Sequence, residues 1–358
     1  MAVMNQNNYH DEQTKQNILK MRAVLETLPS FCKTFFRGIE EYTSARTRLA
    51  YAYDLRLFFE YLHEKNPVCT KMEIKDFPIT LLDDLTRQDI EEYLEYMSLY
   101  HKDGKDITNA ERGKSRKLAA LRSFYNYFYQ CEMIKNNPAS LVPMPKLHEK
   151  EIIRLEPNEI AILLDQVEDG TKLTKKELEY HKKTRVRDVA LLTLLLGTGI
   201  RVSECVGLDI QDVNFEVCGI KIRRKGGYEA VVYFGDEVET ALLDYLEERE
   251  HIIPLEGHEN ALFLSLQNRR ITVRAVENLV KKYSSRVTTL KRITPHKLRS
   301  TYGTTLYQES GDIYLVADVL GHKDVNTTRK HYAAQQDERR RRAAQYVHLR
   351  EDSKSNNQ

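Results

Sequence analysis

Two prolines, Pro143 and Pro145, interrupt the helical pattern of this chain near its middle. Proline restricts its own φ and pushes the preceding residue toward extended backbone, so the stretch 142–154 predicts an extended connector between two domains. A new helix is expected at Glu156-Pro157, because proline suits the first helical turn. With 358 residues, the chain is long enough for two domains that each bury a core.

The residues before the connector predict helices. Apolar residues over 43–62 recur at three- and four-residue steps, as on one face of a helix. A second helix is expected over 81–96, and a third over about 115–129 with an apolar and aromatic stripe. Such a stripe is typical of ordinary core packing, so it points to no cofactor.

The residues after the connector predict a helical domain with a small sheet. A buried helix over 185–196 is expected to stop at Gly197 and Gly199, and Ser203 is a candidate cap for the next short helix. The predicted fold class is therefore mainly α with a small antiparallel β-sheet, of the α+β type. Its remaining elements are expected as strands at 215–223 and 228–234, joined as a hairpin across 224–227, and helices at 236–250, 273–284 and from 295 onward.

Charge and composition narrow the class of protein. Lys and Arg number 55 against 53 Asp and Glu, a net charge of +2, so any basic surface must be local. One such window is 111–122, which holds five basic residues and one acid. The N-terminus lacks an apolar signal region, no apolar run is long enough to span a bilayer, and the five scattered cysteines suit free thiols. We expect a cytoplasmic protein without a membrane segment.

Five short polar motifs follow one another in the second half of the chain. A His-x-x-Arg match by itself is common by chance, so the order of all five motifs carries the weight. They are Gly197-Thr198-Gly199-Ile200-Arg201-Val202-Ser203-Glu204, the turn Lys225-Gly226-Gly227, His296-Lys297-Leu298-Arg299, Leu320-Gly321-His322, and Tyr332.

This order resembles the catalytic signature of the tyrosine recombinase (phage integrase) family. The N-terminal half is similar to that family's helical core-binding (SAM-like) domain, through Tyr53-Asp54-Leu55 with Phe58-Phe59 and through the stretch 121–125. The resemblance covers roughly residues 40–345 and is closest to the Xer type, because no separate small arm-binding domain precedes the core-binding helices. It implies an N-terminal extension (1–39), a core-binding DNA-binding domain (40–146), a catalytic domain (147–345) and a C-terminal tail (346–358).

The resemblance implies that the chain cuts and rejoins DNA by covalent phosphoryl transfer. Tyr332 would attack phosphorus and become joined to the 3′ phosphate, which keeps the bond energy for religation without ATP or another cofactor. Arg201 and Arg299 would clamp the scissile phosphate, since guanidinium groups donate paired hydrogen bonds and stay charged. Lys225 would be the general acid for the leaving 5′ oxygen.

The remaining motif residues receive supporting roles from the same resemblance. His296 would handle the proton of the nucleophile, and His322 would hydrogen-bond the phosphate. Glu204 would buttress the active-site arginine. No metal is expected, because side chains supply the positive charge.

One spacing departs from the Xer pattern. His322 and Tyr332 are ten residues apart, where many Xer-like relatives have nine; ten also occurs in integrase-type members. Tyr346 is the nearest rival nucleophile, but its distance from His322 does not fit. The biological role, resolution of chromosome dimers or integration and excision of a mobile element, therefore stays open.

The expected partner is double-stranded DNA, bound by a homotetramer on paired inverted-repeat sites that exchanges strands through a Holliday junction. A second recombinase or an accessory protein is a further expected partner. The tail after Tyr332 would dock on a neighbouring protomer, or else contact DNA. Basic residues of both predicted helical regions and of the connector are the candidates for contact with DNA: Arg46, Arg48, Arg56, Lys114, Arg116, Lys117, Arg122 and Lys146.

Two other functions remain open. A catalytically idle DNA-binding protein, such as a repressor, is disfavoured because the main polar positions and Tyr332 are all present. An enzyme like type IB topoisomerase would share the chemistry. The compact two-domain layout and the Leu320-Gly321-His322 motif favour the recombinase.

Overall fold

A computed structural model of the chain describes residues 9–148, 153–224, 227–322 and 325. The chain divides into two compact units, Met1–Lys150 and Glu151–Gln358. In the described ranges, no helix is both long and apolar enough to cross a membrane. Lys225, Tyr332 and the predicted tail lie outside the described residues.

The first unit is a helical domain with one small hairpin. Its strands pair antiparallel, with Tyr100 opposite Ile107. Its elements are α1 (Tyr9–Leu25), α2 (Cys32–Gly38), α3 (Ala45–Lys65), α4 (Leu81–Asp84), α5 (Arg87–Tyr96), β1 (Tyr100–Lys102), β2 (Lys105–Ile107), α6 (Glu111–Gln130) and α7 (Pro138–Leu141).

Aromatic rings fill the core of this first unit. The ring of Phe124 on α6 meets Phe35 on α2 edge-on with centroids 5.1 Å apart, and meets Phe128 at 5.0 Å. Phe59 on α3 closes the same cluster and is fully buried. Edge-to-face pairs of this kind add to the free energy of area burial. Residues 9–38, which the sequence set apart as an extension, thus supply α1 and α2 to this core.

The single helix predicted over 81–96 is wrong, because the structure divides it into α4 and α5. Thr86 is extended and caps α5, accepting a hydrogen bond from the backbone N–H of Asp89, whose carboxylate accepts one from the Thr86 N–H in return. This capping box satisfies two donors at the start of α5, so a new helix begins there.

The second unit is also mostly helical, and its strands form one antiparallel sheet in the order β3-β4-β5. Helix α9 lies at its centre and packs against α8, α11 and α13. The predicted fold class, mainly α with small antiparallel sheets, is confirmed. The elements are α8 (Pro157–Asp169), α9 (Lys175–Thr198), α10 (Val202–Cys205), β3 (Val213–Asn214), β4 (Gly219–Arg223), β5 (Glu229–Tyr233), α11 (Asp236–Glu250), α12 (Val273–Ser284), α13 (Pro295–Ser310) and α14 (Ile313–Leu320).

Three local predictions in this unit were wrong. Helix α9 starts well before residue 185, because Thr174 caps it in a capping box with Glu177. The residue that caps α10 is Arg201, and Ser203 lies inside that helix. The strand predicted over 215–223 starts only at Gly219, because residues 215–218 form a turn in which Cys218 has a φ of +47°.

Candidate active site

The candidate site is built where α9 ends. The Thr198 hydroxyl donates to the Leu194 carbonyl at 2.6 Å, and Gly199 then leaves the helix with a φ of +62°. A side chain at position 199 would place its Cβ 2.4 Å from the ring of Tyr302. Only glycine meets both conditions, so the sequence Gly-Thr-Gly sets the sharp turn that delivers Arg201.

Arg201 is held from two directions by one carboxylate. Its guanidinium Nη1 donates to Oε1 of Glu204 at 2.7 Å, and its backbone N–H donates to Oε2 at 2.8 Å. Glu204 is buried, with 4% of its surface exposed, whereas the Arg201 side chain keeps 33% of its surface exposed. The carboxylate therefore orients the guanidinium while leaving part of it open to a ligand.

Helix α13 supplies the second arginine. Pro295 stands in its first turn, and His296 beside it is exposed. Arg299, one turn later, is only 5% exposed, and its Nη1 donates to the Gly199 carbonyl at 2.6 Å. Its Nη2 donates to the carbonyl of Leu320 at the end of α14. The backbone of two separate chain segments thus holds this guanidinium in place.

The end of α14 brings the third motif to the same place. Gly321 has a φ of +61° and ends the helix, with its N–H donating to the Asp318 carbonyl at 2.8 Å. The N–H of His322 donates to the Ala317 carbonyl at 2.9 Å, and the His322 side chain is half-buried. This pair of bonds is the usual glycine-terminated helix end, and it fixes the backbone of His322 at the end of α14.

Four consecutive carbonyl oxygens at this helix end accept hydrogen bonds from three arginines. Arg224 donates from Nη1 to Asp318 at 3.2 Å and from Nη2 to Val319 at 2.8 Å. The oxygens of residues 320 and 321 accept from Arg299 and from Arg201, the latter at 3.4 Å. The negative end of a helix dipole favours cations, so α14 stabilises a cluster of three guanidinium groups that would otherwise repel one another.

The cluster can bind an anion with several oxygens. Arg201 shares the carboxylate of Glu204, whereas Arg224 and Arg299 donate to backbone carbonyls, which carry no net charge. These carbonyl acceptors do not neutralise the charge of the guanidinium groups that they bind, which favours an anionic ligand. Preorganised cations of this kind stabilise charge that develops on a phosphate in a transition state. In the described ranges, no group of three or more His, Cys, Asp or Glu side chains is arranged to hold a metal ion.

The structure therefore brings together Arg201, Glu204, Arg299 and His322, with His296 on the first turn of α13. Arg224 belongs to the same cluster and was not among the predicted residues. The only sequence signal for it is the run of basic residues that precedes the glycine pair of the hairpin.

Several predicted DNA contacts in the first unit are engaged within that unit. Arg48 is 5% exposed and donates to the carbonyls of Glu40 at 2.7 Å and Thr43 at 3.1 Å, and it is paired with the Glu40 carboxylate. Arg122 donates to the carbonyls of Ala139 and Val142. The nitrogen atoms that make these bonds are therefore engaged within the first unit.

The other predicted contacts differ in exposure. Arg46 and Lys146 are exposed. Arg56 is half-buried, with its guanidinium 5.2 Å from the ring centre of Tyr53. Contacts within the unit hold the remaining three: Lys114 donates to Ser98 at 2.6 Å, Arg116 is paired with Asp54, and Lys117 donates to Asn109 at 3.0 Å beside the same Asp54.

Comparisons with known proteins agree with one another. The model of the phage integrase family matches residues 154–339. The chain is 32% identical over 321 residues to tyrosine recombinase XerC of Caldanaerobacter subterraneus subsp. tengcongensis, covering 87% of this chain and 82% of that protein. It is 30% identical over 294 residues to tyrosine recombinase XerD of Oceanobacillus iheyensis, covering 82% and 89%.

A solved structure shares the fold. The crystal structure of the XerH site-specific recombinase bound to a palindromic difH substrate, a post-cleavage complex, superimposes with a TM-score of 0.65. The match covers 92% of this chain and 88% of that chain, at 20% sequence identity.

Proposed function

Because this chain belongs to the phage integrase family, we infer that it is a tyrosine-type site-specific recombinase that cuts and rejoins double-stranded DNA. The observation that carries the inference is the guanidinium cluster at the end of α14, which unites three motifs from distant parts of the sequence. The relatives named XerC and XerD support the same reaction class.

We propose that Arg201 and Arg299 bind the non-bridging oxygens of the scissile phosphate. Their partners hold them before substrate arrives, so little reorganisation is needed when charge builds up in the pentacoordinate state. Glu204 acts through Arg201 by orienting its guanidinium. His322, directly after Gly321, donates to the same phosphate.

The proposed nucleophile is Tyr332, which lies outside the described residues. Its phenolic oxygen forms a bond to phosphorus while the bond to the 5′ oxygen breaks, which leaves a 3′-phosphotyrosine and a free 5′ hydroxyl. The departing 5′ oxygen takes its proton from Lys225, and His296 accepts the phenol proton. Attack by the 5′ hydroxyl of another strand reverses the step and completes the exchange.

The DNA contacts and the assembly are proposals as well. Exposed cations such as Arg46 and Lys146 would contact phosphates and make binding depend on salt. We propose a homotetramer on paired inverted-repeat sites, acting by itself or with a second recombinase or accessory protein in the cytoplasm, where its substrate lies. Resolution of chromosome dimers and movement of a mobile element both remain compatible with this chemistry.

The test begins with the DNA sequence that the full chain selects from a library of random duplexes. A nicked version of that duplex lets the short fragment with the 5′ hydroxyl diffuse away, so the covalent complex accumulates. We expect a protein–DNA band that survives denaturation in the wild type and in Tyr346→Phe, and none in Tyr332→Phe. A band in Tyr332→Phe would remove this nucleophile, and no band in the wild type would favour an idle DNA-binding protein.

A further inference from the structure

Arg224 directly follows β4, the first strand of the hairpin, and its side chain reaches the end of α14. Its backbone N–H donates to the Tyr228 carbonyl at 2.9 Å and its carbonyl accepts from the Gly227 N–H at 3.0 Å, so it closes the base of the turn. Its side chain leaves the sheet and donates to the Asp318 and Val319 carbonyls of α14. With 8% of its surface exposed, it is a buried cation.

The hairpin and α14 do not pack tightly against each other beside this contact. A cavity of about 420 Å³ lies between them, lined by Tyr228 and Ala230 on the hairpin side and by Ala317, Asp318 and His322 on the other. Arg224 also lines this cavity, and its guanidinium bonds to the helix end. It therefore restrains two elements that the surrounding packing leaves loosely joined.

Gly321, which lies against the Arg224 guanidinium, leaves the space that the guanidinium occupies. A Cβ at Gly321 would lie 1.5 Å from Nη1 of Arg224, so a larger residue would exclude the guanidinium. The carbonyls that it binds stand next to those that bind Arg299 and Arg201. Loss of Arg224 would thus release the base of the turn from the helix end, while the bonds of Arg299 and Arg201 go to other carbonyls and do not depend on it.

We propose that Arg224 is a positioning residue for proton transfer to the leaving group, because it fastens the base of the turn that begins with Lys225 to the helix end that carries His322. This inference rests on the proposed function, in which the Lys225 ammonium protonates the 5′ oxygen. Arg224 touches no reacting atom; it sets where the proton donor stands relative to the clamped phosphate.

The chemistry of the leaving group supplies a selective test. In normal cleavage the bond between phosphorus and the 5′ oxygen breaks, and that oxygen must gain a proton from Lys225. When sulfur replaces the bridging 5′ oxygen, it departs as a thiolate, because a thiol has a pKa of about 8.5 and needs no acid. A defect confined to proton delivery disappears on the sulfur substrate, whereas a defect in folding or in phosphate clamping remains.

The experiment compares single-turnover cleavage of oxygen- and sulfur-bridged versions of the selected duplex. General acids contribute about 10²–10⁴-fold, so Arg224→Ala should slow the oxygen substrate by about 10- to 100-fold. On the sulfur substrate it should cleave within about threefold of the wild type. Arg224→Gln, whose amide still donates to a carbonyl, should lie between the two and serves as the second variant if Arg224→Ala does not fold.

Two further variants separate this inference from the proposed function. Lys225→Ala should also regain a near wild-type cleavage rate on the sulfur substrate, and Arg299→Ala should stay slow on it. If Lys225→Ala cleaves the sulfur substrate at a near wild-type rate while neither Arg224 variant does, the inference about Arg224 is overturned. The role of Lys225 as the general acid then stands. If Lys225→Ala does not recover, Lys225 is not the acid and both claims fall. Normal cleavage of the oxygen substrate by folded Arg224→Ala would also overturn the inference.

Discussion

Two clusters of basic residues, one in each unit, bind acceptors of different charge. At the end of α14, Arg299 and Arg224 donate to neutral backbone carbonyls. On α6 in the first unit, Arg116 and Lys117 face the carboxylate of Asp54, which is itself 3% exposed. The carbonyl acceptors described for the first pair carry no charge, whereas the carboxylate of Asp54 offsets one of the two positive charges of the second pair.

The electrostatics of the second arrangement show what burial does to such a pair. Burial raises the pKa of the Asp54 carboxyl, an effect that the charges of Arg116 and Lys117 oppose. Burial likewise lowers the pKa of Lys117, and Asp54 opposes that shift. Each charge is tolerated because the other is present, so the cluster serves to hold α3 against α6. A site for an anion requires cations whose charge is not fully offset by their own acceptors. Arg201 fits this, since it shares Glu204 but keeps part of its guanidinium exposed.

The largest expected effect comes from removing an arginine of the carbonyl-bound cluster. Arg299→Ala should slow single-turnover cleavage of the selected duplex by about 10²–10³-fold, because one preorganised donor to the transition state is lost. Affinity for the uncleaved duplex should change much less. The measurement is the rate of covalent-complex formation at saturating protein, with folding checked by thermal unfolding.

Arg249 offers a matched control. It is 4% exposed and donates to the carbonyls of Glu259 and Ala261, so it is also a buried arginine bound to carbonyls. Arg249→Ala should lower stability by about 1–3 kcal/mol, since buried acceptors lose their donor, and leave the cleavage rate of folded protein unchanged. Equal cleavage defects in Arg249→Ala and Arg299→Ala would break the distinction between a site and a structural contact.

The sequence was informative where chemistry is local. The three-residue step between Arg201 and Glu204 spans one helical turn, so their contact follows from spacing. Likewise, the predicted bounds of α11 and α12, 236–250 and 273–284, match the structure, because their apolar periodicity and polar flanks are local.

The sequence was silent where a side chain binds a distant backbone group. Arg224 binds α14 carbonyls that are 94 and 95 residues away in sequence. Every residue has a backbone carbonyl, so no sequence motif identifies these acceptors. The partner of Arg116 is an aspartate 62 residues earlier, so the basic run over 111–122 gave no sign of this ion pair. Both contacts depend on which residues the fold brings close together, and the local sequence does not show this.

A smaller effect is expected in the pH dependence of stability, through the carboxylate of Glu177. Hydrogen bonds from the backbone and hydroxyl of Thr174, with a further contribution from Arg286, lower the pKa of Glu177 to about 2. Because the folded pKa lies below the unfolded one, the contribution to stability is complete above about pH 5 and is lost as pH falls toward about 2. Glu177→Gln should cost about 1 kcal/mol at neutral pH and clearly less near pH 3.

The measurement is the urea midpoint of wild type and Glu177→Gln at both pH values. Arg249→Ala again serves as the control, since its carbonyl acceptors do not titrate in this range and its cost should be the same at both. A Glu177→Gln cost that does not shrink in acid would show that the carboxylate is not the group that stabilises the start of α9.

The smallest expected effect separates exposed from paired cations in DNA binding. Arg46→Ala and Lys117→Met each remove one positive charge, but Arg46 is exposed, whereas the Lys117 side chain is 11% exposed beside Asp54. Anisotropy titrations of a nonspecific duplex at several salt concentrations should show the slope of log K against log salt reduced by about 1 in Arg46→Ala. Lys117→Met should keep the wild-type slope and lose stability instead. If both variants lost the same slope, overall charge rather than the partner of each cation would govern binding, and the contrast between the two units would not extend to DNA affinity.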